Sequence, residues 1–183
     1  MIPAVQPRQS ALIAINIGWL RQALDLLERL DDNVYSATAP GLAPHRAGAH
    51  LRHILEFYQC FLEGMDSSHI DYDTRRRDEA IECCRPMAAM AISAIIHDLQ
   101  TRAEVREERI VWVRMEDADA SGVRDTFMES SVSRELQVLS SHTVHHFALI
   151  AVTLRAHGVQ MDSDFGMAPS TVRHLSSRTA EAA

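Results

Sequence analysis

The stretch LQVLSSHTVHHFALIAVTL, residues 136–154, decides how this chain is read. It contains no Asp, Glu, Lys or Arg, and Leu136, Leu139, Phe147, Ile150, Ala151 and Leu154 recur at three- and four-residue spacing, the period of a helix buried on most sides. In a membrane, Gln137, Ser140, Ser141, Thr143 and three histidines would sit at hydrocarbon depth without partners, so the segment belongs inside a helical bundle. His142 and His146 are four residues apart and share one face, with Cβ atoms about 5–6 Å apart, close enough for both imidazoles to reach one metal ion. His145 is rotated about 100° from His146 around the helix axis. The same H-x-x-x-H spacing also suits hydrogen-bonded core histidines, so a metal site needs a third ligand from another element.

Composition narrows the classes. At 183 residues, 46% hydrophobic, with 7 Gly and 6 Pro, the chain reads as one helical domain spanning residues 1–183. A net charge of −7 disfavours a nucleic-acid partner, because a surface that tracks phosphates needs a basic excess. All 18 basic residues are arginine, which removes Schiff-base chemistry, pyridoxal-phosphate anchoring and phosphate-loop lysines. The opening residues show no secretory pattern, and Cys60, Cys83 and Cys84 do not form a disulfide framework, so reduced thiols and a cytoplasmic location are expected, with no membrane partner.

Working outward from residues 136–154, three more helices are expected: about Gln9 to Leu30, Arg46 to Gly64 with Gly64 as the stop, and Pro86 to Gln100. Between the third and the last, Val105 and the run Ile110 to Val113 favour strands, and DADASG, residues 117–122, reads as a turn, so a short β-hairpin is expected there. Ser130, Ser131 or Ser133 caps the last helix, which ends near Gly158. The expected class is all-α, a four-helix bundle with a short insertion between helices 3 and 4.

For the third ligand, His50 and His53 both lie inside the second helix. His53 is at the edge of its apolar stripe, and Glu56 follows three residues later on the same face. The segments GAHLRHILEFYQCFLEG (48–64), DYDTRRRDEAIE (71–82), SSHTVHHFALIAVTLRAHG (140–158) and DFGMAPSTVRHL (164–175), in this order, resemble the DinB/YfiT-like family of metal-binding four-helix bundles. The resemblance implies one divalent metal ion held by His53, His142 and His146, with His50 as the fallback for the first position. It also implies a metal-dependent hydrolase or thiol transferase acting on a small substrate. The competing expectation is a non-catalytic metal-binding or stress-related module.

Three neutral imidazoles leave coordination positions open, as catalytic ions require, and zinc, nickel, iron and manganese all suit them. Glu56 is the candidate carboxylate to orient a ligand or act as base. Arg75, Arg76 and Arg77 are expected to pair with Asp71, Asp73, Asp78 or Glu79, with capture of an anionic group as the alternative reading. Apolar surface left on the helices suggests a homodimer.

Overall fold

The computed structural model describes residues 10–102, 108–115, 118–119, 122–123 and 126–181. In chain order its elements are α1 (Ala11–Arg29), α2 (Asp32–Ser36), α3 (Ala47–Ser67), β1 (His69–Asp71), a 3-10 turn (Tyr72–Thr74), α4 (Glu79–Cys83), α5 (Arg85–Thr101), β2 (Ile110–Arg114), β3 (Ala118–Asp119), β4 (Gly122–Val123), β5 (Met128–Ser131), α6 (Val132–Ala156) and α7 (Pro169–Glu181).

Four long helices make the core. Ser10 caps α1 by accepting from the Ile13 amide, and Ile13, Ile17, Leu20 and Leu27 form its buried stripe. Helix α1 packs on α5 and α6, and α3 packs on the same two, so each long helix lies against two others. Leu51, Ile54, Leu55, Tyr58 and Phe61 of α3 and Leu136, Leu139, Phe147, Ile150 and Leu154 of α6 are all buried. Burial of this order, about 1.5–3 kcal/mol for each large apolar side chain, is what holds helices of moderate propensity together.

The interior is not wholly apolar. Asn16, fully buried on α1, donates through Nδ2 to the carbonyls of Leu12 at 2.8 Å and Leu136 at 3.0 Å, and its Oδ1 accepts from the Tyr58 hydroxyl at 2.7 Å. The Tyr58 hydroxyl also lies 3.2 Å from Thr143 Oγ1, which donates to the Leu139 carbonyl at 2.7 Å. This network ties α1, α3 and α6 together one turn from the histidines, and fixes their register as apolar contacts alone would not.

The insertion differs from a simple hairpin. Strand β2 pairs antiparallel with β5, Val111 opposite Ser130, but it also pairs parallel with β1, Ile70 opposite Val113. The result is a three-stranded sheet in the order β1-β2-β5, beside a two-residue ladder between β3 and β4. Val105 and part of the expected turn lie outside the described residues. Strand β1 arises in a segment whose charge reads as loop, and Ile70, with no exposed surface, is the residue that holds it.

Helix α3 continues past Gly64 to Ser67, correcting the expected stop. A Cβ on Gly64 would stand 2.4 Å from the His69 carbonyl oxygen and 2.6 Å from Ile70 Cα. The glycine therefore admits β1 across the helix rather than ending it. At the other end of the site, Ser131 caps α6 by accepting from the Arg134 amide, so β5 feeds directly into the histidine-bearing helix. After α6, Phe165 is buried and stacks on Phe147 with centroids 4.8 Å apart, before α7 begins.

Candidate metal centre

Helix α3 supplies His53 and α6 supplies His142 and His146. One nitrogen from each ring lies within 4.8 Å of the others, a spacing that could hold a metal ion. The ring centroids are 4.9 Å apart for His53 and His142, 4.6 Å for His53 and His146, and 4.5 Å for His142 and His146. The arrangement follows from the elements: the i,i+4 pair stacks two rings on α6, and the α3–α6 packing brings His53 against them.

The donor chemistry fits a divalent ion. His142 Nε2 is buried and has no hydrogen-bond partner, an orphaned lone pair or N–H of the kind proteins otherwise avoid. All three imidazoles are biased towards the neutral, ligating form. Burial pushes His53 down to about 4, reinforced by the charges of Arg75 and Arg52 and by His50. Burial likewise lowers His142 to about 4, with His53, His145 and Arg75 adding to it. His146 falls to about 3, first through burial and then through the surrounding histidines. Among the described residues, the cluster contains three ligand atoms and no carboxylate.

His50, the fallback, is not in the triad but touches it. Its Nδ1 lies 3.1 Å from His146 Nδ1, and its Nε2 lies 3.1 Å from Nδ1 of the exposed His45. His146 thus has one nitrogen engaged by His50, which leaves Nε2 for an ion. His145 stands beside His146, 5.1 Å between centroids, but outside the cluster, as its angular position on the helix requires. It lines a groove of about 320 Å³ with Arg134, Val138, Ser141 and His142.

Glu56 is buried, and its carboxylate is already committed: Oε1 accepts from the Asp78 amide at 2.9 Å and lies 3.7 Å from Arg52 Nη1. It anchors the segment leading to α4. The arginine run divides three ways. Arg76 pairs with Glu63 at 2.6 Å, whereas Arg75 donates to the Tyr72 carbonyl at 2.6 Å and lies over the Phe57 ring, 5.0 Å from its centroid. Arg77 adopts a positive φ of 53°. None of these pairings is with Asp71, Asp73, Asp78 or Glu79, because Asp71 is paired with Arg114 and the carboxylates of Asp71 and Asp78 bond local amides.

Cys60 is buried and its thiol is pushed up to about 11, chiefly by desolvation, which makes it a packing residue rather than a nucleophile. Cys83 is exposed at the end of α4, and all three cysteines are free. Residues that the sequence reading passed over also frame the site. Phe57 packs on His142, centroids 4.1 Å apart, and stacks on Tyr72 at 4.9 Å; the Tyr72 hydroxyl donates to buried Glu135 at 2.9 Å. Phe57 lies four residues after His53, so helical spacing alone could have placed it there.

No family model matches the chain. Its fold is that of a DinB-like protein: the crystal structure of YjoA from Bacillus subtilis superimposes with a TM-score of 0.60 at 16% identity, over 83% of this chain and 95% of that one. A sequence relative, FK506-binding protein 5 of Rhizopus delemar, is 31% identical over 106 residues, which cover 58% of this chain and only 27% of that protein's length. Among the described residues, no helix is long and apolar enough to cross a membrane.

Proposed function

We propose that this chain is a single-domain, DinB-like four-helix bundle that binds one divalent metal ion through His53, His142 and His146. In this reading it acts on a small substrate as a metal-dependent hydrolase or thiol transferase. The observation that carries the reading is the convergence of one ring nitrogen from each of the three histidines within 4.8 Å, on rings that include the buried, unpartnered Nε2 of His142. The mutual packing of α1, α3, α5 and α6 supports the bundle.

A bound ion of this kind lowers the pKa of water or holds a thiolate as nucleophile. The chain's own residues set the conditions for that chemistry. Burial keeps the imidazoles neutral, His50 orients His146, and Phe57 walls one side of His142 away from water. The groove along α6 gives a small molecule a way to His142. A fourth protein ligand would favour the non-catalytic module; three ligand atoms among the described residues favour an open coordination position and hence catalysis.

Zinc, nickel, iron and manganese remain the ions to compare. Reconstitution with each, followed by elemental analysis, should give near one ion per chain for at least one of them; no uptake of any would sink the reading. Added thiol should then shift the visible spectrum of a cobalt-substituted sample if the thiol-transferase branch holds, and leave it unchanged if it does not. The surface carries exposed Ile15, Met90, Trp112 and Val152, and we expect a homodimer in cytoplasmic conditions, with no nucleic-acid partner. Sedimentation of metal-free and metal-loaded protein tests the dimer, and a monomer in both states removes it.

A further inference from the structure

Arginines near the site are mostly neutralised. Arg46 pairs with Glu82 at 3.4 Å, Arg52 with Glu82 at 3.1 Å, Arg76 with Glu63 at 2.6 Å, and Arg114 with Asp71. Arg75 differs. It is half-buried, its Nη1 donates to the Tyr72 carbonyl, and its guanidinium lies over Phe57; among the described residues it has no carboxylate within ion-pair distance. Phe57 is also the ring that packs on His142, 4.1 Å between centroids, and on His53, 4.9 Å. One aromatic side chain therefore carries the unpaired cation on the same platform as two of the three candidate ligands.

A guanidinium kept partly out of water without a counter-charge is costly, and a divalent ion among neutral imidazoles adds two more positive charges beside it. Neither Glu56, held by Arg52 and the Asp78 amide, nor Asp71, held by Arg114, is available to balance them. An anionic ligand would offset these charges. Both nitrogens of a guanidinium edge match the two oxygens of a carboxylate, whereas the Phe57 ring and the Tyr72 carbonyl fix the plane in which that edge is offered.

We propose that Arg75 is the anion-recognition residue of this site, and that the substrate is a small carboxylate whose carboxylate group is held by Arg75 beside the metal position. The proposal rests on the metal-binding reading above. Arg76 and Arg77, although adjacent, take no part, since Arg76 is paired with Glu63 and both side chains are exposed.

The test uses the full chain loaded with cobalt, with cobalt content measured first and acetate as the probe, followed by calorimetry and by the visible cobalt spectrum. Acetamide, nearly the same shape but neutral, is the control. Acetate should bind and perturb the spectrum while acetamide does neither. Arg75→Gln keeps a donor for the Tyr72 carbonyl but removes the charge, and should weaken acetate binding by tenfold or more with cobalt content unchanged and the fold retained by circular dichroism. Arg75→Lys should recover part of the loss. Equal acetate affinity in the parent and Arg75→Gln, at equal cobalt content, overturns the proposal alone. Failure of the parent to take up cobalt overturns the metal reading, and the proposal with it.

Discussion

His50 Nδ1 lies 3.1 Å from His146 Nδ1, so the fallback histidine touches one of the three proposed ligands rather than joining their cluster. The contact continues through His50 Nε2 to His45 Nδ1, also at 3.1 Å, and ends at the surface. With the donors running from His146 through His50 to His45, His146 Nδ1 carries the proton and Nε2 keeps its lone pair for an ion.

His50→Ala should therefore weaken metal affinity by about 10–100-fold without abolishing stoichiometric uptake at saturating metal. His45→Ala, one contact further out, should have a smaller effect. Competition against a chromogenic chelator measures both. An unchanged affinity in His50→Ala would show that the contact does not orient His146.

Proton competition should begin at lower pH than free imidazole implies. The unperturbed histidine value of 6.5 is replaced by about 4 for His53 and His142 and about 3 for His146, mainly through burial. Affinity should therefore persist below about 6.5 towards pH 4, with the three rings titrating as one coupled cluster. In metal-free protein, folded values lie below the unfolded one, so the unfolded chain binds more protons in this window, and stability present above 6.5 falls as pH drops towards 4. Urea midpoints across this range check it. A flat profile from pH 7 to 4 would contradict the burial of these rings.

Tyr58→Phe removes the donor to Asn16 Oδ1 and leaves that buried oxygen unpaired. The expected cost is about 1–3 kcal/mol, with metal content retained, because the network braces the helices without touching the ion. Denaturant unfolding measures it. A loss below a few tenths of a kcal/mol would mean that the network is dispensable.

Gly64→Ala should destabilise the protein by about 1–3 kcal/mol or more, because the new methyl meets the backbone of β1 rather than a side chain that can turn away. Were Gly64 only a helix stop, alanine there would be tolerated or would stabilise α3. A thermal melt separates the two.

What the sequence made legible was whatever a single helical period encodes. The charge-free run 136–154 announces α6, and four-residue spacing pairs His142 with His146 and sets His145 aside. His53 was legible only as a histidine at the margin of an apolar stripe, since its approach to α6 depends on how two helices cross. The sheet was less legible. Val111 and Val113 have the composition of a strand, but β1 consists of three residues, His69, Ile70 and Asp71, inside a charged segment, and its parallel pairing with β2 is a long-range contact with no local pattern. The bond between Tyr58 and Asn16 was missed for the same reason, because a polar group inside an apolar stripe does not reveal its partner on another helix. The arginine run read as a loop bonded to its own acids; the structure separates it because Arg75 alone turns over Phe57.

His53, His142 and His146 are proposed to hold one divalent ion together. The most direct measurement is elemental analysis of purified His53→Ala, His142→Ala, His146→Ala and His145→Ala proteins at neutral pH, each checked for folding by circular dichroism. Near one ion per chain is expected in the parent and in His145→Ala, and loss of stoichiometric metal in each of the other three, since two imidazoles make a far weaker chelator. Full occupancy in His142→Ala and His146→Ala would contradict it and return these residues to the role of ordinary core histidines.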